Sequence, residues 1–161
     1  MIKAVQVAVD DAGIDDTIRE VGQFEPRGMT GSLFAGGFIG DELAGSIGGA
    51  VGSVAGMHAN AASRGLPMHM MVGASDTTIY GFRMEHGRKS PPHDMVFRVP
   101  RADVKVNVRA RVNVRVLELV DEATASKIEL EGNRIPITHS HDLIRFVAGP
   151  EAISEADAQS E

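Results

Sequence analysis

Residues 103–116 read DVKVNVRARVNVRV. The even positions are Val104, Val106, Val108, Ala110, Val112, Val114 and Val116, and the odd positions are Asp, Lys, Asn and Arg. Side chains alternate across a strand, so this pattern predicts β-structure with one buried and one solvated face. These 14 residues exceed the usual strand length. A bend or a tight connection is therefore expected near residues 109–111. Beyond Val116 the apolar phase moves to Leu117 and Leu119, which predicts a bulge or a strand break.

More strands lie on both sides. PMHMMVGAS (67–75) ends in the turn signal Ser75-Asp76-Thr77, and TTIYGFRME (77–85) resumes at once, which predicts an antiparallel hairpin. HGRKSPPHD (86–94) is a surface loop, and MVFRVP (95–100) is a strand stopped by Pro100. VLELVD and SKIELEG form a hairpin across EATA. A closing helix is expected next, capped by Ser140 or Thr138 and with Asp142 in its first turn. Leu143, Ile144, Phe146 and Val147 form its apolar side, and Gly149-Pro150 ends it. Near the N-terminus, Asp15 and Asp16 suit a helix first turn, with Ile14, Ile18 and Val21 at helical spacing. FEPRG (24–28) then breaks that helix.

Composition sharpens this outline. The chain has 161 residues and no cysteine, so disulfides, thiol nucleophiles and cysteine-metal sites are excluded. Acids outnumber bases 22 to 16, for a net charge of -6. That total argues against a nucleic-acid partner. Counted along the chain, residues 1–25 carry net -4, residues 26–116 net +5 and residues 117–161 net -7. A basic middle is thus hidden between acidic flanks. No secretory signal is expected at the start, and the acidic end reads as a solvated tail.

Eleven of the 18 glycines lie between Gly28 and Gly65. Gly48, Gly52 and Gly56 are four apart, as are Gly45 and Gly49. Leu43, Ile47, Val51, Val54 and Met57 keep a matching helical rhythm. Glycine costs about 1 kcal/mol in a helix relative to alanine, so such a helix needs something packed into its groove. The favoured expectation is a self-associating helix or helical hairpin. The alternatives are a membrane-inserted helix over residues 43–63 and a Gly/Ala/Ser linker. No phosphate-loop motif is present.

Three chemistries compete in this sequence. Arg98, Arg101, Lys105, Arg109, Arg111 and Arg115 are candidates for binding an anionic partner, since arginine forks suit phosphate. Lys105, Arg109, Arg111 and Arg115 share one face if the strand is continuous. The competing and favoured expectation pairs these cations with Glu118, Glu129 and Glu131 across the sheet. His139, His141 and the run Met68-His69-Met70-Met71 invite a metal, but no recognised ligand spacing occurs, and no metal or cofactor is expected. Ser140, His141 and Asp142 are consecutive and cannot converge as a triad, so no catalytic residue is assigned and no enzyme is expected.

VGASDTTIYGF, through Asp76, Thr77, Ile79, Tyr80 and Phe82, resembles a hairpin of bacterial pleckstrin-homology-like and GRAM-like domains. Ser75 stands where the family often has threonine. ELEGNR and HDLIRFVAG are similar to that group's last strand and closing helix. The resemblance covers residues 66–149. It implies a small antiparallel barrel or bent sandwich closed by a C-terminal helix, and binding to lipid headgroups, peptides or proteins rather than catalysis.

The combined expectation is an α+β protein. It comprises an N-terminal helical or turn region (1–28), a glycine-rich helical segment (29–65), the pleckstrin-homology-like domain (66–149) and an acidic tail (150–161). Its expected function is a non-enzymatic interaction or scaffold module, cytoplasmic and homo-oligomeric or bound to a protein partner. Gly45, Gly48, Gly49, Gly52, Gly56, Leu43, Ile47, Val51 and Val54 would form the packing surface. The alternative is a peripheral protein on an anionic membrane surface; a small-molecule or metal-dependent enzyme ranks third.

Overall fold

The computed structural model describes residues 1–30, 69–84, 92–110, 114–122, 126–133 and 136–158. The glycine-rich packing residues Leu43, Gly45, Ile47, Gly48, Gly49, Val51, Gly52, Val54 and Gly56 lie outside them, as do Arg111 and the loop over residues 86–91. Helix α1 (Ile2–Asp11) opens the chain. Seven strands follow: β1 (Glu20–Thr30), β2 (Met70–Ala74), β3 (Thr78–Arg83), β4 (Met95–Pro100), β5 (Lys105–Ala110), β6 (Val114–Asp121) and β7 (Ser126–Asn133). Helices α2 (Ser140–Ala148) and α3 (Pro150–Ala158) complete the described chain.

The strands form one open antiparallel sheet in the order β4-β3-β2-β1-β7-β6-β5. β1 joins its two halves. Residues 20–24 pair with β2 and residues 25–30 with β7, and the register shifts between Pro26 and Gly28. Pro26 cannot donate to a ladder and is tolerated in a strand where a bulge bends it. FEPRG therefore bends a strand rather than ending a helix. The sheet is also not confined to residues 66–149, because its central strand precedes the glycine-rich segment.

The N-terminal helix sits earlier than its sequence pattern suggested. Val5 and Val9 of α1 are fully buried, while residues 14–19 run without helical structure into β1. The Gln6 amide supplies the local bonds that a helix would have provided. Its Nε2 donates to the Asp16 carbonyl at 2.8 Å, and its Oε1 accepts from the Ile18 amide at 2.9 Å. Ile18 and Val21 do face inward, but they do so beneath α1.

Two apolar layers result. On one side of the sheet, Val5, Val9, Ile18, Val21, Met71, Tyr80 and Phe82 form a cluster under α1. On the other, Phe24, Met70, Val72, Ile79, Phe97, Leu117, Leu119, Ile128 and Leu130 meet Leu143, Ile144 and Val147 of α2 and Ile153 of α3. β2 is buried throughout and β3 is buried except at Arg83, which explains their continuous apolar sequences.

β5 and β6 pair antiparallel on either side of residues 111–113, so residues 103–116 are not one continuous strand and their faces are not the predicted ones. Arg109 pairs with Val116 and Asn107 with Glu118, so an odd residue always meets an even one. Paired residues point to the same side of a sheet. The odd residues of β5 therefore share a face with the even residues of β6. Arg115 consequently lies on the face opposite Lys105 and Arg109. The apparent phase shift at Leu117 has the same origin, since the register through β6 is regular and carries no bulge.

The end of the chain departs from expectation as well. His139, at φ 51°, is the residue before α2, and neither Thr138 nor Ser140 caps the helix. Their hydroxyls donate instead to the Asn133 carbonyl, at 3.2 and 2.7 Å, which fastens the helix start to β7. A Cβ added at Gly22 would lie 2.8 Å from Ser140 Cα, so glycine allows this close approach. Gly149 ends α2 at φ 86°, a region glycine favours, and Pro150 begins α3. Residues 150–158 are therefore not a solvated tail: Ile153 and Ala156 are buried, and α3 packs on β5 and α2.

Candidate functional site

The five described basic candidates, Arg98, Arg101, Lys105, Arg109 and Arg115, do not converge. Arg98, on β4 opposite Tyr80, places its guanidinium 5.9 Å from that ring's centre. Arg101 follows β4 and closes a clamp between the β2–β3 turn and the end of α2. Its Nη1 donates to the Ser75 carbonyl at 3.2 Å and the Asp76 carbonyl at 3.4 Å. Its Nη2 donates to the Phe146 carbonyl at 3.2 Å, and the guanidinium sits 4.8 Å from the Phe146 ring centre. The Phe146 carbonyl lies in the last turn of α2, where a cation is favoured. Arg115, on the inner face, bonds Asp157 of α3 at 2.7 Å. Lys105 reaches Glu122 at 3.2 Å on the surface.

Arg109 belongs to an ion-pair grid on the outer face of β5, β6 and β7. It bonds Glu129 and lies 3.4 Å from Glu118. Lys127 bridges the same two carboxylates at 3.1 Å and 3.2 Å, and Asn107 donates to Glu118 at 3.2 Å. Glu118 and Glu129 are directly opposite in the β6–β7 register, so two like charges would clash without the cations between them. Burial acts to raise the Glu118 pKa. Hydrogen bonds from Lys127 and Asn107, with the charges of Arg109 and Lys127, outweigh it and hold the carboxyl below its ordinary value. Burial acts to lower the Lys127 pKa, but Glu118 and Glu129 together raise it. Beside the grid, Arg27 bonds Glu131, and Val116 is buried among these long side chains. The cations of this face thus have partners within the fold.

His139 and His141 approach Asp142 at 3.4 and 3.9 Å. His69 approaches Glu25 at 3.7 Å across β1 and β2. Met70 fills the main core and Met71 the layer under α1, as strand alternation predicted, while Met68 lies outside the described residues. Among the described residues no three His, Asp or Glu side chains are grouped to hold a metal. Ser140 is buried with its hydroxyl spent on Asn133.

One polar cleft escaped the sequence reading. It lies at the bend of β1, has a volume of about 160 Å³, and is lined by Gln23, Glu25, His69, Glu131, Asn133 and Thr138 beside Phe24, Met84 and Val114. It is smaller than the roughly 300–1,000 Å³ of ordinary ligand pockets. Its residues come from β1, β6, β7 and the segments flanking β2, β3 and α2. The alternating polar residues Gln23 and Glu25, then Glu131 and Asn133, were the available signal.

A second polar centre ties the start of the chain to the sheet. The Tyr80 hydroxyl donates to Asp16 Oδ2 at 2.6 Å. Burial, and then the Asp16 hydrogen bond, push the Tyr80 pKa up to about 12. Burial also acts to raise the Asp16 pKa. Hydrogen bonds from Ser75, Tyr80 and the Thr17 amide, with the Arg98 charge, leave it below its ordinary value.

The class defined by these features is an α+β protein with a seven-stranded open antiparallel sheet, one helix on its first half and a helix pair on its other face. Set against family models, curated proteins and solved structures, the chain matches none. Among the described residues no helix is long and apolar enough to cross a membrane.

Proposed function

We propose that the chain is a non-enzymatic interaction or scaffold module that self-associates through its glycine-rich segment and presents a pleckstrin-homology-like domain to a protein partner. The observation that carries this reading is the position of that segment. β1 and β2 are neighbours with continuous antiparallel register from Glu20↔Ala74 to Phe24↔Met70. Adjacent hairpin strands need about two to five connecting residues, yet this connection runs from Thr30 to Met70. A connection far longer than a hairpin turn needs is a common place for a functional element, which supports a role for this segment beyond joining the two strands. The order of seven antiparallel strands and then an amphipathic helix supports the pleckstrin-homology-like part. The engagement of Arg101, Arg109 and Arg115 within the fold weighs against an anionic-surface role.

Light scattering with and without detergent tests the proposal. A monodisperse oligomer without detergent is expected, and Gly52→Leu should lower its mass by filling the groove. A monomeric wild-type chain would refute self-association. Aggregation relieved only by detergent would favour the membrane alternative instead.

A further inference from the structure

Helix α1 is apolar on two sides. Val5 and Val9 are buried against the sheet, whereas Val7 is 55% exposed. Among the described residues four large hydrophobics are exposed, and Met1, Ile2 and Val7 belong to this one segment. Residues three and four apart share a helix face. Lys3, Val7, Asp10 and Asp11 therefore run along the outward side, and all four are exposed. At 1.5 Å rise per residue, Lys3 and Asp11 stand about 6 Å to either side of Val7.

A row that reads positive, apolar, negative is complementary to the same row reversed. Two α1 helices packed antiparallel about a two-fold axis at Val7 place Val7 against Val7. Each Lys3 then faces Asp10 and Asp11 of the second copy, and the contact occurs twice by symmetry. Parallel packing would instead set lysine against lysine and aspartate against aspartate. Asp10 also accepts from Gln6 within its own helix at 2.8 Å. Lys3 and Asp11 have no ion pair among the described residues. Ala4, beside Val7, adds little bulk to oppose close approach of the two axes.

We propose that α1 is a self-pairing surface, on which a second copy of this chain packs its own α1 antiparallel across Val7. The proposal rests on the reading that the chain self-associates and adds a contact outside the glycine-rich segment.

The absence of cysteine makes a direct test available. Val7→Cys in the full chain puts one thiol at the two-fold axis, within the short Cβ separation that a disulfide requires. Ser154→Cys, on the exposed side of α3, is the control. Under mild oxidation Val7→Cys should give covalent dimer at concentrations where Ser154→Cys stays monomeric. Lys3→Glu should slow that cross-linking, and adding Asp10→Lys and Asp11→Lys should restore it. Circular dichroism matching wild type checks that each variant folds. Equal cross-linking at Val7→Cys and Ser154→Cys, or indifference to Lys3→Glu, overturns the proposal.

Gly52→Leu separates the two readings. If it lowers the mass of an oligomer whose Val7→Cys form does not cross-link, the α1 contact fails alone. If Val7→Cys cross-links and Gly52→Leu leaves the mass unchanged, the glycine reading fails alone.

Discussion

Replacing Arg101 with methionine asks whether a candidate phosphate ligand is in fact part of the frame. Methionine keeps much of the apolar stem and removes the guanidinium. Two bonds are lost at 3.2 Å, to the Ser75 and Phe146 carbonyls, together with the stack 4.8 Å from the Phe146 ring centre. Each hydrogen bond is worth about 0.5–1.5 kcal/mol net. The cation at the helix end adds roughly 0.3–1 kcal/mol, and the ring contact about 0.5–1 kcal/mol. The bonds to Asp76 and Val147, at 3.4 and 3.5 Å, are too long to add much. Destabilisation of about 2–5 kcal/mol follows. With a urea m-value on the order of 2 kcal/mol/M, the midpoint should fall by about 1–2.5 M. Far-UV circular dichroism is the suitable readout, because the chain has no tryptophan. Flotation with phosphatidylserine vesicles should be the same for the variant and wild type. A variant that unfolds like wild type but loses vesicle binding would refute the assignment and return Arg101 to an anion site.

Three further outcomes follow from the described geometry. The sole tyrosine should ionise near pH 12 by phenolate absorbance, and a midpoint near 10 would contradict the buried bond to Asp16. Because the folded pKa is raised, that group's stabilisation is present below the ordinary tyrosine value and disappears as pH rises through the folded value. Asp16 has the opposite sign: its depressed pKa stabilises above the ordinary carboxylate value and is lost as pH falls through the folded one. Tyr80→Phe should therefore flatten the acid limb of the stability profile measured by urea midpoints. Gly22→Ala should destabilise by about 1–3 kcal/mol through overpacking, since its Cβ would meet Ser140 Cα at 2.8 Å. An unchanged melting midpoint would mean that α2 does not press on β1 in this way.

Legibility differed from element to element for physical reasons. β2, β3, β4 and α2 were readable because their apolar periodicity is carried within a few consecutive residues. Residues 14–21 misled because Ile14, Ile18 and Val21 suit a helix, whereas the Asp16 carbonyl and the Ile18 amide are bonded by Gln6, 10 and 12 residues earlier in sequence. Helix α3 was missed because only Ile153 and Ala156 of its acidic sequence are buried, too few to mark a face. The cleft at the β1 bend was invisible for a related reason: Gln23, His69 and Glu131 meet only after three strands have paired.

The sequence by itself determined that residues 105–110 and 114–116 are β-structure, that an amphipathic helix follows the strands, and that no thiol chemistry exists. Each depends on composition or on covalent geometry along one segment. Only the tertiary structure decided that Arg109 meets Glu118 and Glu129 on one face while Arg115 meets Asp157 on the other. That choice depends on the odd–even pairing of two strands across a turn, and on which distant acids the sheet brings alongside. Strand alternation is a local property, but the partner of a charge is set by register.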